Sequence, residues 1–208
     1  MHTADATSYW QRFARFYGPA MRASSALYRD ICRRMSPRLT PTMEVLELAC
    51  GTGQLSFPLA GRVHHWIATD LTPAMIEQAR KQPAPPQLSF AVQDAAALPY
   101  PDHSFDAVVI ANALHVMPHP ELALIEIRRV LKPGGLLFAP NFLHPVTPIQ
   151  RARLRLLQLS GFHPYYSWTE VQYNAYLRAQ DFTVKEECVL GRGVLPLCYV
   201  VAQTKTEE

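Results

Sequence analysis

Val45-Leu-Glu-Leu-Ala-Cys-Gly-Thr-Gly-Gln-Leu-Ser56 decides how the rest of this chain is read. Its apolar start has the pattern of a buried strand. Two glycines break the run, and an amphipathic segment follows. Strand, tight turn and helix start in that order form the ligand-cradling element of doubly wound α/β folds. A side chain at Gly51 or Gly53 would block close approach of a ligand to the backbone. The helix expected after Gly53 offers unpaired N–H groups and a positive dipole end.

The charges of the motif narrow the ligand. A dinucleotide fingerprint carries a third glycine at position 56, where this chain has serine. Glu47 puts an acid inside the motif, which would repel a pyrophosphate and favour a cationic ligand. S-adenosylmethionine carries a sulfonium, an ammonium and one carboxylate, so it suits this pattern better than NAD. Downstream, Trp66-Ile-Ala-Thr-Asp70 is an apolar run ending in an acid. It lies about 20 residues past the glycines, where this fold places the carboxylate that accepts ribose hydroxyls. Thr72 is the better cap for the helix starting at Pro73, which leaves Asp70 free. Leu88-Ser-Phe-Ala-Val-Gln-Asp94 is a further strand ending in an acid, placed either for an adenine amino group or for capping its own loop.

Four motifs in this order carry a resemblance. Glu47-x-Ala49-x-Gly51-x-Gly53, Asp70, Asp94-Ala-Ala-Ala-Leu-Pro-Tyr-Pro-Asp-His-Ser-Phe-Asp106 and Arg129-Val-Leu-Lys-Pro-Gly-Gly135 resemble the class I S-adenosylmethionine-dependent methyltransferases. The chain is most similar to their small-molecule and quinone-type branch, over roughly residues 40 to 141. The resemblance implies that Gly51 and Gly53 line the methionyl part of the cofactor, in a loop with Glu47, Ala49, Cys50 and Thr52. It implies that Asp70 holds the ribose beside Leu71 and Met75, and that Asp94 and Ala95 meet the adenine. It also implies an N-terminal aromatic, Tyr17, closing over the cofactor. One departure is Ala49, where the family usually has glycine; its methyl would tighten the methionine pocket.

Composition agrees with one domain of 208 residues, long enough for a sizeable core. The segments read as an N-terminal helical cap (1–40), a cofactor-binding core (41–141), an acceptor-side insert (142–180) and a C-terminal hairpin (181–208). No apolar run is long enough for a stable membrane insertion, and no charged-then-apolar leader is read. Cys32, Cys50, Cys188 and Cys198 lack Cys-x-x-Cys spacing and read as reduced thiols of a cytoplasmic protein, with Cys188 and Cys198 able to face each other across the hairpin. The net charge of +3 neither requires nor excludes an acidic partner. No metal site is read, because Asp102 and Asp106 flank a turn and shape it. Oligomeric state is not legible.

Apolar positions at helical spacing predict two helices within 7–36, broken at Gly18-Pro19. Strands are expected near 43–49, 64–69, 88–93, 105–111 and 135–140, with helices near 53–60, 73–81 and 120–131. Lys132-Pro-Gly-Gly135 reads as a helix stop and turn without chemistry. Phe182–Leu190 and Val194–Ala202, around Gly191-Arg-Gly193, form a hairpin. The fold class is therefore α/β: a doubly wound, Rossmann-like, mostly parallel seven-stranded sheet with an antiparallel last strand, capped by the N-terminal helices and a helical insert.

The insert follows the fifth strand, above the strand ends where ligands sit in such sheets. It holds Phe142, Phe162, Tyr165, Tyr166, Trp168, Tyr173 and Tyr176, with His144 and His163. We expect it to form, with the N-terminal helices, an apolar pocket for a small hydrophobic or aromatic acceptor. The alternative is that these aromatics only pack the insert onto the sheet. Gln150–Leu159 is basic and amphipathic. A surface helix with a buried leucine stripe is its ordinary reading, and docking to a membrane carrying a lipid-like substrate the sharper one. The N-terminal arginines lack a nucleic-acid-binding module around them, so no nucleic acid is expected.

Methyl transfer is an in-line displacement that a dry site and good alignment accelerate. In Ile110-Ala-Asn-Ala-Leu-His115, after the fourth strand, Asn112 is placed to hold cofactor or acceptor by its amide. His115 is placed to take a proton, against the alternative that it packs on the loop. Two rival readings are an NAD-dependent oxidoreductase and a non-catalytic cofactor-binding protein of the same fold.

Overall fold

The computed structural model describes residues 9–15, 17, 24–145, 147–159, 161–191 and 196–204. A helix, α1, covers residues 9–15. It is followed by α2 (Ser25–Met35), β1 (Glu44–Leu48), α3 (Ser56–Leu59), β2 (His65–Asp70), α4 (Pro73–Ala79), β3 (Leu88–Val92) and β4 (Phe105–Ile110). Then come α5 (Pro120–Val130), β5 (Leu131–Phe138), β6 (Asn141–Phe142), α6 (Pro148–Leu159), α7 (Glu170–Ala179), β7 (Phe182–Leu190) and β8 (Leu197–Thr204). The break expected at Gly18-Pro19 lies outside the described residues.

The sheet runs β3-β2-β1-β4-β5-β8, with β7 on the other edge of β8. β3, β2, β1, β4 and β5 are mutually parallel, and β8 is antiparallel to both neighbours. The two-residue β6 continues along the same edge of β8 that β5 occupies. Seven strands therefore lie side by side, as the alternation of strand and helix patterns predicts. β1 and β4 are central, and Val45, Leu46, Leu48 and Ala107–Ile110 are buried.

Side chains alternate between the two faces of a strand. Leu46 and Leu48 pack with Leu124, Ile127 and Leu177, under α5 and α7. Val45 packs on the opposite face with Ile31, Leu59 and Trp66, under α2 and α3. Glu47 shares the parity of Val45. It is carried into that second core, where Ser56 and Trp66 hydrogen-bond its Oε2.

Three expectations about elements change. α3 spans only Ser56–Leu59, because residues 51–55 form turns closed by the Gly53 N–H on the Cys50 carbonyl, 3.0 Å. A four-residue helix has little dipole to offer a ligand. Lys132–Gly135 does stop α5, but it lies inside β5 as an irregularity: Phe105 pairs with Leu131 and Ala107 with Leu136. Gly135 is required there, since a Cβ would sit 2.9 Å from the Lys132 carbonyl oxygen. Lys132 pairs with Asp106 at 2.9 Å, and Arg129 clamps the preceding loop through Asp102 and the Leu98 and Tyr100 carbonyls. The conspicuous charges of this stretch thus hold turns together. Finally, Cys188 pairs with Tyr199 and Val189 with Cys198, so the two cysteines point to opposite faces and all four thiols are free.

Candidate active site

Two cavities open at the carboxyl ends of the parallel strands. The first is lined by Tyr17, Ala49, Gly51, Asp70, Leu71, Met75 and Asn112, together with Trp10 and the Val116–Pro118 turn. Gly51 is left-handed, φ +57°, and Tyr17 lies directly over it: an added Cβ would meet Tyr17 Cε1 at 2.8 Å. Asp70 is not free as expected. Its Oδ2 accepts the Gly51 N–H at 2.9 Å and its Oδ1 the Thr72 N–H at 2.8 Å. These bonds tie β2 to the glycine loop and, with a third from the Thr72 side chain, leave one of the roughly four lone-pair positions of a carboxylate. Burial raises its pKa, against the pull of the Thr72 and Gly51 N–H groups and the Thr72 hydroxyl. Thr72 does stand at the N-cap of α4, without a side-chain capping bond, and Pro73 follows at the first helical position.

Glu47 does not reach this cavity. Buried at 2 % exposure beside Trp66, it has its pKa pushed up to about 7 by desolvation. The charge character expected from it is supplied instead by Asp70, since the described lining contains no Lys or Arg. Cys50 is buried behind the loop, with its N–H on the Thr69 carbonyl. Thr52 and Gly53 face a separate open groove beside Arg15 and Lys81. Asp94 stays at the β3 loop, exposed, with Oδ1 accepting the Ala96 N–H at 2.9 Å, and Ala95 is buried next to it. Neither lines the cavity.

The second cavity is aromatic. Tyr9, Trp10, Phe13, Phe142, Phe162 and Tyr166 line it, with Leu154 of α6 on one side. α1 roofs it by edge-on packing on the loop after α6: Trp10 and Phe162 lie 6.1 Å apart at 75°. His115 faces this cavity, not the first. It is 6 % exposed, and burial pushes its pKa down to about 4, so it is neutral across the physiological range. Its Nδ1 lies 2.9 Å from Asn141 Oδ1. Its carbonyl accepts the Tyr165 and Tyr166 N–H groups, which pins the insert to this loop.

Trp10, Tyr17 and Asn112 line both cavities and form the wall between them. Asn112, at the end of β4, is left-handed, φ +54°, a conformation asparagine tolerates better than most residues. Its Nδ2 donates to Tyr28 Oη at 3.2 Å, and the Tyr17 hydroxyl is also hydrogen-bonded to Tyr28. Asn112 Oδ1 is buried and has no partner among the described residues. An orphaned buried carbonyl oxygen asks for an N–H or O–H donor from a ligand.

Of the insert aromatics, Phe142, Phe162 and Tyr166 reach the aromatic cavity. Trp168 does not; it stacks on Tyr166 at 4.9 Å and on Tyr176 at 5.1 Å. Tyr173 is fully buried and donates to the Ala139 carbonyl at 2.8 Å. Those two are packing residues. The leucine stripe of α6 is split rather than buried: Leu154 turns to the cavity, while Leu156 and Leu159 are 69 % and 84 % exposed. Sequence reasoning missed Tyr28, whose only signal was its place on the buried face of α2 with Ile31 and Met35. It also missed Asn141, which no local pattern marks. Among the described residues no helix is long and apolar enough to cross a membrane.

With this geometry in view, likeness to known proteins places the chain. Residues 46–139 match the family model described as a methyltransferase domain. Demethylmenaquinone methyltransferase of Renibacterium salmoninarum is 40 % identical over 105 residues, 50 % of this chain and 44 % of that protein. The ubiquinone/menaquinone biosynthesis C-methyltransferase of Chromobacterium violaceum is 37 % identical over 144 residues, 66 % of this chain and 54 % of that protein. The chain spans about half the length of the curated relatives it matches. A possible histamine N-methyltransferase of Thermotoga maritima superimposes with a TM-score of 0.73 at 20 % identity, over 97 % of this chain and 100 % of that one. The [4+2]-cyclase SpnF superimposes with 0.71 at 19 % identity, over 89 % and 83 %, so this fold alone does not fix the reaction. The likeness to methyltransferases thus lies in residues 46–139, the stretch that holds the glycine loop, Asp70 and Asn112.

Proposed function

We propose that this protein transfers a methyl group from S-adenosylmethionine to a small apolar acceptor of aromatic or quinol type. The observation that carries this reading is the wall of Trp10, Tyr17 and Asn112 shared by a carboxylate-and-glycine cavity and an aromatic one. The first cavity suits the donor. The remaining lone pair of Asp70 takes a ribose hydroxyl, Gly51 admits the ligand to the backbone, and Asn112 Oδ1 receives an N–H. Leu71 and Met75 flank the nucleoside, and the second oxygen of Asp94 is the candidate for the adenine amino group. When bound, the donor supplies a methyl carbon on a cationic sulfur that departs as a neutral thioether. The absence of Lys and Arg from the described lining disfavours a pyrophosphate, and with it the NAD reading.

Residues 142–180 and the N-terminal helices make the acceptor side. Its aromatic walls exclude water and hold a flat apolar molecule, and the quinone-type relatives support that class. His115 is the polar handle and proton acceptor of that cavity. Titration of the full chain with S-adenosylhomocysteine and NAD, followed by a screen of quinols, phenols, thiols and amines with labelled donor, tests the reading. Binding of S-adenosylhomocysteine and methylation of a quinol or phenol are expected. Uptake of NAD alone would refute it.

A further inference from the structure

We propose that Asn141 is a positioning residue that locks His115 as its Nδ1–H tautomer and so presents Nε2 to the acceptor cavity as a bare lone pair. Asn141 is 1 % exposed and sits in β6, paired with Cys198 of β8. Its Nδ2 donates to the Phe142 carbonyl at 3.0 Å. That carbonyl can only accept, so it fixes which way the amide faces. Oδ1 is thereby turned to His115 Nδ1, 2.9 Å away. An amide oxygen also only accepts, so Nδ1 must carry the proton. A neutral imidazole has one N–H, and Nε2 is left without it. Nε2 has no protein partner among the described residues, and the ring borders the aromatic cavity between Phe142 and Phe162.

Only an amide satisfies both neighbours. An ionised carboxylate at 141 would accept from His115 but oppose the Phe142 carbonyl. It would also hold the imidazolium, whereas the neutral amide does not offset the burial that keeps His115 uncharged. The other titratable groups facing this cavity are the phenols of Tyr9, Tyr17, Tyr28 and Tyr166; no carboxylate, Lys or Arg is in the described lining. Asn141 therefore acts through His115. As the acceptor's O–H bond breaks, its proton bonds Nε2 and its electron pair stays with the acceptor for the new bond to carbon. The positive charge lost at sulfur reappears on the imidazolium, which then sheds its proton to water. What Nε2 acts on rests on the methyl-transfer reading above; the tautomer does not.

The test begins with the full-length, ligand-free protein labelled with nitrogen-15. Imidazole correlation spectra at pH 7 are expected to show His115 protonated at Nδ1 and bare at Nε2. A proton on Nε2 overturns the proposal. Asn141→Asp is expected to move the acid limb of the turnover profile up by one pH unit or more; an unmoved limb overturns it. Asn141→Leu is expected to cut turnover tenfold or more with the S-adenosylhomocysteine Kd unchanged. Should the leucine variant not fold, the wild-type tautomer and the near-isosteric aspartate variant still decide. Failure of wild type to bind S-adenosylhomocysteine would sink the methyl-transfer reading, and the tautomer spectrum would still decide the role of Asn141.

Discussion

Ala49→Gly should be neutral or slightly stabilising, although alanine-to-glycine changes usually destabilise. Ala49 follows β1 with φ +50°, in the left-handed region. Holding an L-residue there costs about 1–2 kcal/mol, which glycine avoids. Against that relief stands about 0.4–1 kcal/mol for the greater freedom of glycine in the unfolded chain. Ala49 is only partly buried against the α5 side of the core. Losing its methyl forfeits about half of the ~0.8 kcal/mol of a fully buried group. The terms leave a change between about −0.4 and about +1.2 kcal/mol, centred on a slight stabilisation. The control is Ala152→Gly, at an exposed position inside α6, where about 1 kcal/mol should be lost. Urea unfolding of both variants, with an unchanged slope, reads the difference as a separation of midpoints of about 0.5 M or more. Ala49 also lines the cavity proposed for the donor, so S-adenosylhomocysteine should bind the variant at least as tightly as wild type. If Ala49→Gly is as destabilising as Ala152→Gly, the strain assigned to this turn does not exist.

Other substitutions address the remaining groups. The raised pKa of Glu47 means that the folded state keeps a proton the unfolded chain releases near pH 4.5, so its stabilisation is lost as pH rises through about 7. Glu47→Gln should therefore be more stable than wild type above pH 7, by up to about 3 kcal/mol in urea unfolding at pH 8.5. The lowered pKa of His115 has the opposite sign: stability is lost as pH falls from 6.5 through about 4. His115→Gln should flatten that acid slope and lower turnover at pH 7 by about 10²-fold, with donor affinity intact. Phe162→Ala should raise the acceptor KM about tenfold and leave the donor Kd alone, since Phe162 lines only the aromatic cavity. Trp168→Ala should lower the unfolding midpoint instead, because its ring is spent on Tyr166 and Tyr176.

The first cavity is legible in the sequence because Gly51, Asp70 and Asn112, which line it, sit at strand ends. A strand end is marked locally, by an apolar run stopping at a glycine or an acid. Gly51 and Asp70 carry that mark and Asn112 follows from its place just after the fourth strand; the parallel registers of β1 with β2 and β4 bring those ends together. Glu47 shows where local marking misleads. Its place in the motif argued for a ligand contact, but the two-residue period of β1 had already assigned it to the face of Val45, and Trp66 and Ser56 wait there. That parity is written in the alternation of the strand itself.

The aromatic cavity is not legible, for a different reason. Its walls come from α1, α2, the loop after β4, β6, α6 and the loop before α7, and no spacing rule links positions 10, 28, 115, 142 and 162. Aromatic content alone cannot separate Phe162, which faces the cavity, from Trp168, which does not. Asn141 is the sharpest case. Its consequence depends on a carbonyl one residue on and an imidazole 26 residues back, both in place only once β6 has joined β8. On the proposed reading, donor recognition follows from strand ends that the sheet lines up. Choice of acceptor then falls to segments that meet only in three dimensions, so the acceptor side can diverge between chains that keep the same strand-end motifs. That division of labour makes the aromatic cavity, not the glycine loop, the place to look for the acceptor specificity proposed for this chain.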